Sequence, residues 1–282
     1  MSFSDLFKPK WKHSDKDVRL SAITSLRDQK SLSEIAKADR DPTVRRAAFK
    51  KLSDHTLLAE IARMTEDPDV YNAAITKITD QVTLAEIVLA SKCYSAREKA
   101  LKKISNQVIL AEIAKFAGAM EGDEFDIYAE ATKRIMDQAL LAEILVVTKH
   151  SWVCGEAMDR ITDQALLAEI VKIAIWVRVR LKALKRITDQ SILAKLAAAD
   201  DSNITDMRPL VIKRITDQNI LAEIAKAGTY ISARLEAIKK ITNQSILADI
   251  ARSDRDPRIR EEAKKKIADQ AVLGTNSKTG KN

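Results

Sequence analysis

The sequence predicts an all-α fold, a solenoid of about ten stacked two-helix units. The main observation is a tetrapeptide similar to Ile-Thr-Asp-Gln that returns after 26 residues in seven of nine intervals, the others being 31 and 28. A fixed period of this length is typical of one supersecondary unit stacked on itself. Only 6 Gly and 5 Pro occur in 282 residues, which leaves little room for sheet turns. The leading residues of the tetrapeptide are Leu26, Leu52, Ile78, Ile104, Ile135, Ile161, Ile187, Ile215, Ile241 and Ile267.

Each unit is predicted to begin with a capped amphipathic helix. Two residues after the leading Ile or Leu stands an Asp or Asn, whose side-chain oxygen can accept the unpaired amides of a helix start. In the unit that begins at Asp54, Leu58, Ile61 and Ala62 share one helical face, and the helix is expected to end near Arg63. The capping positions are Asp28, Asp54, Asp80, Asn106, Asp137, Asp163, Asp189, Asp217, Asn243 and Asp269.

A second helix is predicted after a turn that is acidic in four of the units. In Asp41-Pro42 the Asp can cap the helix and the Pro is preset for its first turn. The pattern Val44-Arg45-x-x-Ala48-Phe49-x-x-Leu52 then places apolar residues on one stripe. A small residue at the Ala48 position lets neighbouring helices approach closely. Aromatic residues make up only 4% of the chain, so the core is expected to consist of Ala, Ile, Leu and Val.

These residues resemble HEAT repeats, or their shorter bacterial relatives, over roughly residues 15–273. The resemblance implies that the turn Asp and the Arg of Val-Arg form a ladder between successive units, with the second helices lining the concave face. The chain also resembles the leucine-rich-repeat variant, a shorter α-solenoid, but it lacks the N-terminal iron–sulfur cysteine cluster of that family. The ladder arginines would be Arg19, Arg45, Arg97, Arg180, Arg208, Arg234 and Arg260.

Three segments are expected along the chain: a capping segment at 1–14, the repeat array at 15–273 and a disordered polar tail at 274–282. An apolar cover for the first unit is what the end of an array requires. A membrane-surface or partner-docking segment is the alternative for the same residues, because lysines alternate with the apolar side chains. Those apolar side chains are Phe3, Leu6, Phe7 and Trp11.

The sequence predicts a cytoplasmic protein. Its longest apolar stretch, Ala139 to Val147, is interrupted by Glu143 and is too short to span a bilayer. The N-terminus lacks the apolar core of a secretion signal. Cys93 and Cys154 lie more than two units apart, which is too far for a disulfide, so a reducing compartment is expected.

The position directly before the leading Ile or Leu is basic in nine units of ten. At roughly 10 Å per helix layer, these cations would form a ridge of about 90 Å. They could simply complement helix dipoles at the end of each second helix, for about 0.3–1 kcal/mol each. Alternatively, with a net charge of +8, they could bind a phosphate backbone or an acidic segment without reading sequence. The ridge residues are Lys51, Lys77, Lys103, Arg134, Arg160, Arg186, Arg214, Lys240 and Lys266.

The repeat pattern breaks in the middle of the chain. A Gly-containing acidic insertion lies between Ile104 and Ile135, and aromatic residues replace the Asp-Pro turn in several units. These aromatics could fill the space that the turn vacates, or they could form a central binding patch. Pro209 is expected in the first turn of a second helix that begins late. The patch would comprise Phe125, Tyr128, Trp152 and Trp176.

No motif in the sequence predicts catalysis, a cofactor or a metal. His150 and Cys154 are four residues apart, but no second ligand pair accompanies them. No Gly-rich phosphate loop or hydrolase elbow is found. Among HEAT-like proteins, hydroxylases carry His-Glu iron ligands, and no His here precedes Glu. HEAT-like DNA glycosylases use an aromatic cleft with an Asp, to which Trp152, Trp176 and Asp159 bear a loose similarity without a matching motif.

The sequence therefore predicts a non-enzymatic scaffold, without cofactors, that binds a protein partner. Nucleic-acid or polyanion binding along the basic ridge is the alternative, and a glycosylase is a third. A membrane role is not expected apart from the N-terminal segment, and the free protein is expected to be a monomer.

Overall fold

The computed structural model describes residues 8–116 and 126–279, with side chains up to Ala271. Within these residues the secondary structure is entirely helical, with nineteen α-helices, two short 3-10 turns at Lys10–Lys12 and Ser202–Ile204, and no strand. The helices are α1 (Lys16–Ser25), α2 (Gln29–Ala38), α3 (Pro42–Lys51), α4 (His55–Met64), α5 (Pro68–Lys77), α6 (Gln81–Ala90), α7 (Tyr94–Lys103), α8 (Gln107–Phe116), α9 (Asp126–Lys133), α10 (Gln138–Val147), α11 (Ser151–Arg160), α12 (Gln164–Ile173), α13 (Val177–Arg186), α14 (Gln190–Ala198), α15 (Arg208–Arg214), α16 (Gln218–Ala227), α17 (Ile231–Lys240), α18 (Gln244–Ser253) and α19 (Pro257–Thr279).

The chain divides into two compact bodies, Met1–Met136 and Asp137–Asn282. In the first body, α1 precedes the helix pairs α2–α3, α4–α5, α6–α7 and α8–α9, and in the second body the pairs run from α10–α11 to α18–α19. The two helices of each pair pack on each other. Between successive pairs in a body, first helices pack on first helices and second helices on second helices, as α4 does on α6 and α5 on α7. This repeated stacking confirms the predicted all-α solenoid arrangement.

Capping side chains determine where the first helix of each pair begins. Asp54 Oδ1 accepts the amide of Leu57 at 3.0 Å, and the preceding Leu52 has extended backbone that ends the helix before it. The break therefore follows from local geometry repeated at each period. Nine of the ten predicted capping residues accept such amides: Asp28, Asp54, Asp80, Asn106, Asp137, Asp163, Asp189, Asp217 and Asn243.

The core of each body consists of the apolar stripes predicted from the spacing. Leu58, Ile61 and Ala62 of α4 are buried, as are Ala48 of α3 and the leading residue Ile78. The late start of the helix with Pro209 is confirmed, because α15 begins at Arg208 and Pro209 lies in its first turn.

The tenth predicted cap does not begin a new helix. α19 runs from Pro257 to Thr279, through Ile267 and Asp269 and past the position at which the polar tail was expected to start. Ile267 stays partly exposed, whereas the equivalent Ile241 is fully buried. Among the described residues, no helix is both long and apolar enough to cross a membrane.

Candidate functional site

Seven of the nine basic ridge residues bind the main chain of the preceding repeat. Lys103 Nζ donates to the carbonyl oxygens of Ile75, Thr76 and Ile78 at 2.8, 2.8 and 2.7 Å. These oxygens lie at the end of α5, where helical hydrogen bonding has run out. The ammonium group of one repeat thus closes the open C-terminal end of a helix in the repeat before it.

Most of the other ridge cations repeat this contact. Arg186 Nη2 donates to the carbonyl of Ile161 at 3.1 Å, and Arg214 Nη2 to that of Ile187 at 3.0 Å. Partial burial lowers the pKa of Lys77, Lys103 and Lys240, because the ammonium loses water. Arg160 and Lys266 are half-buried. The ridge residues that donate to carbonyls of the preceding repeat are Lys51, Lys77, Lys103, Arg134, Arg186, Arg214 and Lys240.

The glutamine that follows a capping residue forms a second link between repeats at seven positions. Gln81 Oε1 accepts the amides of Ser105 and Asn106 at 2.8 and 3.3 Å, and its Nε2 donates to the carbonyl of Lys103 at 3.3 Å. One side-chain amide therefore joins the start of a repeat to the start of the next. Sequence reasoning missed this role, although the near-invariance of Gln at that position was its signal. The same acceptor contact is made by Gln29, Gln107, Gln138, Gln164, Gln190 and Gln218.

Three arginines of the implied ladder pair with a carboxylate, and in two of these pairs the carboxylate is the Asp of an acidic turn. Arg19 binds both carboxylate oxygens of Asp39, at 2.8 and 3.0 Å, with the side chains almost fully buried. Arg180 pairs with Asp206 at 3.2 Å, and Arg234 pairs with Asp254. Members of the set also bind backbone, as Arg45 Nη1 does with the carbonyl of Asp39 at 2.8 Å and Arg97 Nε with the carbonyl of Ser91 at 2.8 Å. The buried arginines are therefore engaged within the repeat framework.

The four aromatics of the predicted central patch lie in different surroundings. Phe125 falls outside the described residues. Tyr128 in α9 is only 1% exposed and belongs to the core of the first body, so it is not a surface residue. In the second body, Trp152 is 63% exposed and Trp176 is 41% exposed. The two tryptophans are the members available for surface contact.

These tryptophans belong to a cluster of exposed apolar side chains. Among the described residues thirteen large hydrophobic side chains are exposed, and six of them lie within two consecutive repeats of the second body. All six stand at or beside the turns α10–α11 and α12–α13. We call this set the apolar edge: Val147, Trp152, Ile173, Ile175, Trp176 and Val177.

The two turns that carry the apolar edge lie next to each other. Arg178 Nη2, in the first turn of α13, donates to the carbonyl of Lys149 in the α10–α11 turn at 3.3 Å. In addition, α10 packs on α12 and α11 packs on α13. The apolar side chains of both turns therefore form one surface.

Exposed cations flank the apolar edge. Lys149, Arg178 and Lys182 are exposed, and from residue 172 to residue 186 the chain has no acidic residue. Burial raises the pKa of the Cys154 thiol in α11, and the positive charges of Arg178 and Lys182 partly offset that rise. Both cations therefore lie close to α11. The surface thus combines tryptophan and aliphatic groups with positive charge.

The residues considered for catalysis or metal binding lie in α11 and in the turn before it. Within the described part of the chain, no three His, Cys, Asp or Glu side chains are grouped to hold a metal. The buried Cys154 thiol donates to the carbonyl of Thr148 at 3.4 Å, and burial lowers the pKa of His150. The exposed Asp159 carboxylate lies 3.8 Å from Arg186. It is about 10 Å along α11 from Trp152.

No protein-family model matches the chain, and no curated protein matches it significantly.

Proposed function

We propose that the chain is a non-enzymatic, HEAT-like interaction scaffold that binds a protein partner through the apolar edge. The observation that carries this proposal is the exposure of Trp152 and Trp176 among four aliphatic neighbours. Single exposed apolar side chains are common on protein surfaces, whereas a contiguous exposed apolar patch is typical of an interaction site. Tryptophan is also the residue that most often dominates binding energy at protein interfaces.

The surroundings of the apolar edge suit a preformed binding surface. The helices on which it lies are held by carbonyl contacts from Arg186 and by the amide links of Gln138 and Gln164. Rigid support reduces the entropy lost when a partner binds. We propose that the protein acts in the cytoplasm, where the free thiols of Cys93 and Cys154 would stay reduced.

Polyanion binding along the basic ridge is the less favoured alternative. The ammonium groups of Lys77, Lys103 and Lys240 each donate to three backbone carbonyls. Those donors would have to leave helix ends in order to reach phosphates. Replacing Lys103, Arg134, Arg160 and Arg186 by alanine is therefore expected to lower stability rather than to remove a specific salt-dependent affinity.

The proposal can be tested by affinity capture with the full-length tagged protein in a lysate of its native cell. Capture of a protein partner should resist nuclease treatment and should be lost in the double variant Trp152→Ala, Trp176→Ala. The matched control is Val82→Ala, Val108→Ala, two exposed apolar residues of the first body. Undiminished capture by the tryptophan variant would refute the apolar edge as the binding surface, and loss of all capture after nuclease treatment would favour the polyanion alternative.

A second copy of the chain could also cover an exposed apolar surface. We propose a monomer, and sedimentation velocity over a range of concentrations measures this directly. A dimer that dissociates in the tryptophan double variant would instead identify the apolar edge as a self-association surface.

A further inference from the structure

We infer that the partner presents an acidic amphipathic helix, whose apolar face packs on the apolar edge and whose carboxylates meet the cations beside it. This inference rests on the proposed function and adds the chemistry of the partner. It follows from three features of the second body: the charge around the apolar edge, the spacing of its apolar groups, and a groove in the following repeats.

On α13 and in the α10–α11 turn the charged side chains next to the apolar edge are basic, whereas α11 also carries Glu156 and Asp159. Arg178 and Lys182 are one helical turn apart on α13, so both project from the same face. Lys149 adds a third exposed charge in the neighbouring turn. Among the described residues these three cations have no carboxylate within ion-pair distance, whereas Lys172 of the same region is paired with Glu169 at 2.8 Å. An acidic segment would supply the missing counter-charges.

The apolar groups are spaced to match one face of a helix. The α10–α11 turn contributes Val147 and Trp152, and the α12–α13 turn contributes Ile175, Trp176 and Val177. Neighbouring helix layers are roughly 8–10 Å apart. Seven residues of an α-helix span about 10 Å, so apolar residues at i and i+7 of a partner helix would reach the two turns in succession.

The next repeats along the same edge provide a further apolar site. The turns are linked along this edge, because Arg180 pairs with Asp206 and the Tyr230 hydroxyl donates to Asp200. Between α14, α16 and α17 lies a groove of about 350 Å³, lined by Ala198, Ala227 and Tyr230 among others. This volume accommodates one or two large apolar side chains.

The rim of that groove also carries a charge exception. The equivalent exposed position of other first helices is acidic, as at Glu143 and Glu169, but in α14 it is Lys195, and Glu223 of α16 lines the same groove. An acidic helix lying along this edge would meet Lys195 on the α14 side of the groove and Glu223 on the α16 side. The groove therefore adds apolar surface, and the positive charge of the site comes from Lys149, Arg178 and Lys182.

The test uses two synthetic helical peptides that share leucines at i, i+3, i+4 and i+7. One carries glutamate at the polar positions, and the other carries lysine. Binding to the full-length protein is followed by tryptophan fluorescence and by anisotropy of a labelled peptide. We expect the glutamate peptide to bind at least about tenfold more tightly than the lysine peptide, with an affinity that falls as salt rises.

The variant Arg178→Glu, Lys182→Glu should lose that preference, and Ala198→Trp, which fills the groove, should weaken binding of the glutamate peptide. The control Lys213→Glu, Lys265→Glu reverses two exposed lysines elsewhere in the second body. Equal affinity for both peptides, or binding only to oligothymidine or to phosphatidylserine vesicles, would overturn the inference.

The same variants separate this inference from the proposed function. If native capture is lost in the tryptophan variant but survives in Arg178→Glu, Lys182→Glu, the scaffold function stands and the acidic partner is wrong. If capture survives in the tryptophan variant, the proposed function itself fails.

Discussion

At the scale of single residues, this chain uses side chains of one repeat to complete the backbone of another. Lys103 and Gln81 both reach across a repeat boundary to groups that a short helix leaves unpaired. Most of the helices are only about ten residues long and would be marginally stable alone. Their open ends are therefore satisfied by their neighbours, which couples capping to stacking.

Replacing Lys103 by Met should destabilise the protein by about 1–3 kcal/mol, because three carbonyl oxygens of the preceding repeat lose their charged donor. The adjacent Lys102 is the matched control, since it is exposed and contacts Glu98 on its own helix. Urea unfolding followed by circular dichroism measures both variants. A Lys102→Met loss equal to that of Lys103→Met would show that the effect is one of net charge.

The capping aspartates make stability depend on pH in the acid range. Hydrogen bonds lower the pKa values of two capping carboxylates, and the largest cause in each is a side-chain hydroxyl. Thr83 donates to Asp80, and Ser191 donates to Asp189. Because the folded pKa lies below the unfolded value of about 4, this stabilisation is present above pH 4 and is lost as pH falls through the folded pKa.

The double variant Asp80→Asn, Asp189→Asn should therefore show a flatter fall of melting temperature below about pH 4. Asparagine already caps helices at Asn106 and Asn243, so the cap itself is kept. Calorimetric melting from neutral to acid pH provides the comparison. An unchanged acid limb would contradict the assignment of the pH dependence to these caps.

At the scale of elements, the second helices are of two kinds. α3 and α5 begin at Asp41 and Asp67, whose carboxylates accept backbone amides. In contrast, α7, α11, α13 and α17 begin at residues that make no side-chain capping bond, and each has an aromatic residue at or near its start. In α11 and α13 the missing cap lies next to an exposed tryptophan. This pattern is expected where a residue is kept for binding at a cost in stability.

The variant Cys93→Asp should restore a cap to α7 and raise the free energy of unfolding by about 1 kcal/mol. Cys93 has the extended backbone of the capped helices but no capping bond from its side chain. Cys93→Ala controls for removal of the thiol. Denaturant midpoints of the three proteins give the result, and an Asp variant no more stable than the Ala variant would count against a usable capping geometry.

At the scale of the whole molecule, stability is distributed over repeats that contact mainly their neighbours. In each body, pairs adjacent in sequence pack together, so local damage should remain local. Ile78→Ala in the first body removes a fully buried side chain and should cost roughly 2–5 kcal/mol.

Hydrogen exchange should then show the greatest loss of protection in α4 to α7, with less loss in α1. Mass spectrometry of peptic fragments resolves these helices separately. A uniform loss throughout the first body would instead mean that it opens as one cooperative unit.

The sequence by itself determined the helices and their pairing. Caps such as Asp54 and stripes such as Leu58, Ile61 and Ala62 act within one or two turns, so their consequences can be read from spacing. The repeat period then indicates that like elements stack, although the unbroken course of α19 through Asp269 shows that a capping residue alone does not end a helix.

Only the tertiary structure decided what the remaining side chains do. The position of Lys103 in the repeat is compatible both with a lysine that binds phosphate and with one that binds a carbonyl. Its carbonyl acceptors lie 25 to 28 residues away in the chain, so local spacing does not reveal them. Tyr128 and Trp152 both stand near the start of a second helix, yet the first is buried and the second is exposed. Burial depends on which neighbouring helices cover a given face, and that is set by packing between elements.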